Sequence, residues 1–141
     1  MSTYVRHKVL RIPMQFVDMT MIRNGIKDKF PDENIEDDHE WYLERAYPEL
    51  FDYATVGKFQ LSPTITPFLD YMIDYEYDAD GEYGKTRALY DSEKEKYKPI
   101  FQKVDPNIDM EKVRLVEYCW YNGCEADDYY DDTEDPFYDA V

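Results

Sequence analysis

The chain is poor in the residues from which most catalytic and metal chemistry is built. Its 141 residues include only two cysteines and two histidines. Cys119 and Cys124 have four residues between them, not the two of a redox motif or zinc ribbon, and only His7 and His39 could complete a metal site. No metal or other cofactor is therefore expected, and two free thiols suit a reducing, cytoplasmic setting. If Asn122-Gly123 is a two-residue hairpin turn, Tyr121 faces Cys124 and Cys119 faces Ala126, so the thiols are not directly opposed. The serines are Ser2, Ser62 and Ser92, none in a pattern with a histidine base, so a nucleophilic enzyme is not expected. Long apolar runs are missing as well. Arg6, His7, Lys8 and Arg11 interrupt the first hydrophobic stretch, and nothing reaches the ~20 apolar residues of a spanning helix.

Positive charge is the other shortage. Sixteen basic side chains stand against 32 acidic ones, a net charge of -16, and the last 21 residues hold eight acids and no base. A pI near 4.3 disfavours direct binding to DNA, RNA or anionic lipid. The first 30 residues depart from this trend, with six bases against Asp18 and Asp28. That basic start offers a route to a homodimer, by self-association against an acidic face of a second copy.

Hydrophobic and aromatic residues are plentiful. They make up 43% and 17% of the chain, with 15 Tyr, 7 Phe and 2 Trp, so a core forms despite the charge. The expected architecture is one compact α+β domain over residues 1–124, with a small, mainly antiparallel sheet and two to four helices. An acidic C-terminal segment, 125–141, follows. From Val5 to Val17, Leu10, Ile12, Met14 and Phe16 alternate with Arg11, Pro13 and Gln15, the period of a half-buried strand; Pro13 argues for a sheet edge or a bulge. Short helices are expected at 19–26, with Asn24-Gly25 as a stop, and at 35–47, broken by Pro48, which itself could open a second short helical piece. Residues 56–61 read as a strand. Ser92-x-x-Glu95 is a capping box before a helix with Tyr97, Ile100, Phe101 and Val104 inward, and 113–121 reads as a strand with a helix as its rival.

Residues 67–78 admit two readings. Thr66 before Pro67, the spacing of Phe68, Met72 and Tyr75, and Gly81 beyond favour a helix; the alternation of Tyr75 and Tyr77 with Asp74, Glu76, Asp78 and Asp80 favours a strand. The helix has the larger number of signals.

Ala79 to Thr86 matches a relaxed phosphate-binding loop, in which backbone amides and Lys85 would hold phosphate and Thr86 magnesium. Asp78, Asp80 and Glu82 in the same stretch repel phosphate. A calcium loop starting at Glu76 fails because Arg87 stands where its last carboxylate belongs.

The distinctive feature is the ordering of carboxylates. On a helix Asp70, Asp74 and Asp78 form one row; on a strand Asp74, Glu76, Asp78 and Asp80 line one face at about 6.6 Å intervals. Glu36, Glu40 and Glu44 repeat the helical spacing, and Asp127, Asp128, Asp131 and Asp132 cluster in the C-terminal segment. Neighbours about 6.6 Å apart repel by about 0.6 kcal/mol even in water, so such rows oppose folding. A protein that presents carboxylates where a nucleic acid presents phosphates has a use for them, and interleaved Tyr75 and Tyr77 add contact area. The sequence thus points to a non-enzymatic acidic inhibitor or decoy for a basic nucleic-acid-binding protein such as a nuclease, of the phage counter-defence or immunity-protein type. The alternatives are a cytosolic interaction or structural protein whose charge serves solubility only, and a nucleotide-binding enzyme using Lys85 and Thr86.

Overall fold

A computed structural model describes residues 3–32, 40–61, 68–77, 85–89 and 94–122. Five strands form one antiparallel sheet: β1 (Thr3–Pro13), β2 (Phe59–Leu61), β3 (Phe68–Tyr77), β4 (Lys85–Leu89) and β5 (Arg114–Asn122). Their spatial order is β2-β3-β1-β5-β4. Helices α1 (Thr20–Lys29), α2 (Glu40–Ala46) and α3 (Lys98–Phe101) complete an α+β domain.

The alternation expected in the first strand is present, but β1 lies in the middle of the sheet, not at its edge. Pro13 is tolerated there because it is the last residue of β1. It is opposite Phe68 of β3, whereas pairing with β5 stops at Arg11, so its missing N–H breaks no ladder on that side. Met14–Phe16, expected to continue the strand, is a single 3-10 turn.

Side-chain parity sorts β1 onto two faces. Leu10 and Ile12 join Leu69 of β3 and Phe59 of β2 in the main core, with Ile22 and Ile26 of α1, Leu43 and Ala46 of α2, and Phe101 of α3. Val5 and Val9 join Phe68, Met72 and Val116 in a second, smaller cluster on the other face. Both clusters are buried, which is the main source of stability available to a chain this size.

Asn24-Gly25 does not stop α1, which runs on to Lys29. Gly25 serves contact instead: a Cβ there would fall 1.6 Å from the Tyr47 hydroxyl oxygen, so only glycine lets the tyrosine cross the helix so closely. Lys29 anchors the same junction, donating to the Ala46 carbonyl and resting over the Tyr47 ring at 5.1 Å. Pro48 ends α2 as expected, but residues 48–50 form a turn, not a new helix. Phe51 then pairs with Phe59, and the Asp52 N–H donates to the Phe59 carbonyl at 3.0 Å.

Residues 68–77 are a strand, which corrects the helical preference. Tertiary pairing decides the matter: β3 is hydrogen-bonded on both sides, by β1 and β2. The helix signals at Thr66 and Gly81 lie outside the described residues. A β-bulge interrupts the pairing, since Lys8 is opposite Asp74 while Val9 is opposite Met72, leaving Ile73 as the extra residue. Around the later helix Tyr97 and Ile100 are half-buried and Phe101 and Val104 buried, but α3 itself spans only Lys98–Phe101, with Pro99 in its first turn; Tyr97 closes a 3-10 turn at Lys94–Tyr97 before it and Val104 lies in the turn after it. Residues 114–122 form the expected strand, here β5.

Candidate functional site

The bulge decides where the carboxylates of β3 go. Asp70 lies on the face of the smaller cluster and is fully buried, its two oxygens accepting from Arg11 Nε at 2.8 Å and Nη2 at 2.9 Å. The Arg11 guanidinium also sits 4.6 Å from the Phe68 ring centroid. Beyond the extra residue the parity has changed, and Asp74 and Glu76 lie over the opposite face. Asp70 and Asp74 therefore form no common row, and Asp70 cannot meet an outside partner; both expectations are corrected.

Asp74 and Glu76 do share a face and are exposed, and the central strand supplies Glu76 with a counter-charge. Glu76 Oε2 is 2.9 Å from Arg6 Nη1, and Arg6 Nε also lies 3.8 Å from Glu117 of β5. Lys8 stands opposite both Asp74 and Glu117 in register. Cationic residues at alternate positions of β1 are thus bracketed by acids on both neighbouring strands, an arrangement that favours this register. Glu76 is thus paired within the sheet, while Asp74 accepts the Tyr75 N–H at 2.9 Å and is opposite Lys8 in register only. Tyr75 turns to the other face and is half-buried, its ring centroid 5.2 Å from that of His7, while Tyr77 is exposed.

The α2 row is likewise directed inward. Glu40 is partly buried, and one oxygen is buried without a hydrogen-bond partner while the carboxylate accepts the backbone N–H of Leu61. Burial, then the charge of Glu44 one turn away, holds its pKa above the ordinary carboxylate range. Glu44 accepts the Tyr53 N–H at 3.0 Å. Both glutamates fasten the helix to neighbouring chain. Glu36, Asp78, Asp80, Asp127, Asp128, Asp131 and Asp132 lie outside the described residues.

Sequence reasoning weighed His7 only as a candidate metal ligand, and it forms a second buried polar arrangement in the sheet. The Ala54 N–H donates to Gln60 Oε1 at 2.7 Å, which turns the Gln60 amide nitrogen toward His7 Nδ1 at 3.1 Å. That amide can only donate, so Nδ1 accepts and the imidazole is neutral. Burial, and secondarily the charge of Arg11, lowers the His7 pKa to about 3, in keeping with that assignment. Ala54 holds a positive φ of 53°, a conformation rare outside glycine, and its bond to Gln60 helps to hold it. The arrangement fixes the 53–57 loop against the sheet; a base locked neutral by burial is not poised for proton transfer near neutrality.

Lys85 and Thr86 open a strand, β4, which pairs with β5 from Lys85 opposite Cys119 to Leu89 opposite Leu115. A phosphate-binding loop instead delivers its lysine and threonine to a helix N-terminus, where free amides face the anion. The resemblance of 79–86 to such a loop therefore ends at the sequence. Among the described residues no group of His, Cys, Asp and Glu could hold a metal ion, and no helix is long and apolar enough to cross a membrane.

The global charge has a simple distribution. The described residues carry 15 acidic and 16 basic side chains, close to electroneutral. The other 17 acids, and no base, fall in four stretches: 33–39, 78–84, 90–93 and 123–141. Eleven of the 17 belong to 78–84 and 123–141. Those two stretches join the fold at Tyr77, Lys85 and Asn122. These three residues share one end of the sheet, because Tyr77 is opposite Val5, Asn122 opposite Thr3, and Lys85 opposite Cys119.

The chain matches no family model, no curated protein and no solved structure.

Proposed function

We propose that the protein is a non-enzymatic, cytoplasmic binder of a basic protein, acting as an acidic decoy for the surface with which a nuclease or similar partner grips nucleic acid. What supports the reading is the separation of charge: a nearly neutral fold, with the whole surplus of carboxylates confined to four short stretches. Two of these attach side by side at one sheet end. Stability alone would not call for this, because like charges close in sequence repel. A decoy needs many carboxylates close together, since the duplex it replaces carries one charge per roughly 1.7 Å of axis.

The contacts proposed are Asp78 and Asp80 between β3 and β4, Asp127, Asp128, Asp131 and Asp132 after β5, and Glu36 before α2. Glu76, Glu40 and Glu44 serve the fold through the contacts described above, and Asp74 stands opposite Lys8. A solubility role is the competing reading, and the internal pairing of Glu76 favours it for that strand only.

Affinity capture from the source cell with the full chain, and in parallel with a chain ending at Gly123, tests the proposal. The full chain should retain a basic nucleic-acid-binding protein that heparin or duplex DNA displaces and the shortened chain does not retain. Recovery of no such protein, or equal recovery by both chains, would overturn it.

A further inference from the structure

In a chain with twice as many acids as bases, two cations of the described residues meet on a single carbonyl oxygen. Lys94 Nζ donates to the Val113 carbonyl at 3.1 Å, and Arg114 Nη1 donates to the same oxygen, also at 3.1 Å. The two nitrogens can therefore be no farther apart than twice that distance. Arg114 Nη1 bonds the Glu111 carbonyl too, so the guanidinium is fixed from one side. Among the described residues neither Lys94 nor Arg114 has a carboxylate within 4.0 Å.

Two of the nearby acids are engaged elsewhere. Between residues 94 and 114 there are six bases and four acids. Of the acids, Asp105 is buried and accepts the Asp18 and Asn107 N–H groups at 3.0 and 2.9 Å. Asp109 accepts the Glu111 N–H at 3.1 Å. Glu95 and Glu111 are exposed. Lys112, the next cation along the chain, rests over the Phe16 ring at 4.9 Å. The Val113 carbonyl offsets part of one charge but not two.

We propose that Lys94 and Arg114 form a binding site for an oxyanion, a phosphate or carboxylate group with two oxygens on one centre. The Nε and Nη2 edge of Arg114 is the edge that takes such groups with two parallel hydrogen bonds, and both of its nitrogens are without a partner among the described residues. Lys94 keeps two of its three donors for the same ligand, since one is spent on Val113. Anchoring on backbone carbonyls holds both cations in place before the anion arrives, so little side-chain freedom is lost on binding. The site lies in a segment, 94–114, with a local positive balance. It does not rest on the decoy reading; one acidic stretch, 90–93, ends immediately before Lys94.

The test is a titration of the full chain with inorganic phosphate, acetate and chloride at one ionic strength, followed by the Nε–H resonance of Arg114 in an NMR spectrum. Phosphate, acetate or both should shift that resonance saturably, beyond chloride, and the more effective of the two identifies the class of group. Lys94→Gln and Arg114→Gln, each still giving the native dispersed spectrum, should weaken binding about tenfold or more, the latter followed through the Val113 and Leu115 amides. Lys98→Gln, an exposed base outside the site, should leave it unchanged. Shifts no larger than with chloride, or shifts equal in all three variants, would overturn the proposal.

Discussion

Arg11 and Asp70 face each other on adjacent strands and join through two hydrogen bonds, with both side chains fully buried. A buried pair of this kind gains little over apolar residues of the same volume but is expensive to break, because the survivor is left as an uncompensated charge. Asp70→Ala alone should lower unfolding stability by about 3–5 kcal/mol. Arg11→Met with Asp70→Leu should recover most of that loss. Urea titrations of the two variants check this, and equal losses in single and double variants would refute it.

Gly25 and Tyr47 make a second coupled pair. Alanine normally stabilises a helix interior over glycine by about 1 kcal/mol. Here the new methyl meets the tyrosine ring end, which must swing away from Lys29 and the α1–α2 junction. Gly25→Ala should therefore cost about 1–2 kcal/mol, within the range of overpacked sites. In a Tyr47→Leu background the same change should become stabilising. A double-variant cycle read by thermal unfolding measures the reversal.

The pH dependence has two opposed contributions. His7 has a folded pKa of about 3 against an ordinary 6.5, so below 6.5 the unfolded chain takes up a proton that the folded chain refuses. Its contribution is therefore full above pH 6.5 and is lost as the pH falls toward 3. His7→Leu should flatten that limb of a stability-against-pH curve, whatever it does to stability at neutrality. A curve of unchanged slope between pH 6 and 4 would show that His7 is not the group responsible.

Glu40 acts with the other sign. Its folded pKa is raised above 4.5, so the folded chain holds a proton that the unfolded chain releases. Its contribution is greatest below 4.5 and is lost as the pH rises through the folded value. Glu40→Gln should raise stability at pH 7 by only about half a kcal/mol, because the side chain is partly solvated. It should do nothing at pH 4. The comparison of chemical-denaturation midpoints at those two values measures it.

Much of the core was legible in the sequence, because burial follows periodicity where one side of an element faces apolar neighbours. Leu10 and Ile12 announced β1, and Phe101 announced the inward side of α3. Residues 68–77 were ambiguous because local signals at both ends favoured a helix, whereas pairing with β1 and β2 came from residues more than fifty positions earlier and from the short run near 59. The bulge at Ile73 could not be read at all, since it is a property of two strands together. It is also what separated Asp70 from Asp74 and dissolved the anticipated row. The Lys85–Leu89 strand was hidden beneath a loop motif, and His7 was passed over because its constraint comes from Gln60 and Ala54, far away in sequence. The charge pattern itself was legible, but not which acids the fold neutralises.

That last distinction yields a prediction about binding. Glu76 is paired with Arg6 at a half-exposed position, where an ion pair is worth about 0.2–1 kcal/mol. Glu76→Gln should lower stability by no more than that and leave capture of a basic partner intact, because the carboxylate is already balanced. Changing Asp127, Asp128, Asp131 and Asp132 together to asparagine should do the reverse. The proposal assigns those residues to the partner, so unfolding should change little while association slows and loses its dependence on ionic strength. Association rates measured at two salt concentrations for both variants separate the outcomes. If Glu76→Gln slowed association as much as the fourfold change, the carboxylates of β3 would regain the role that their pairing with β1 denies them.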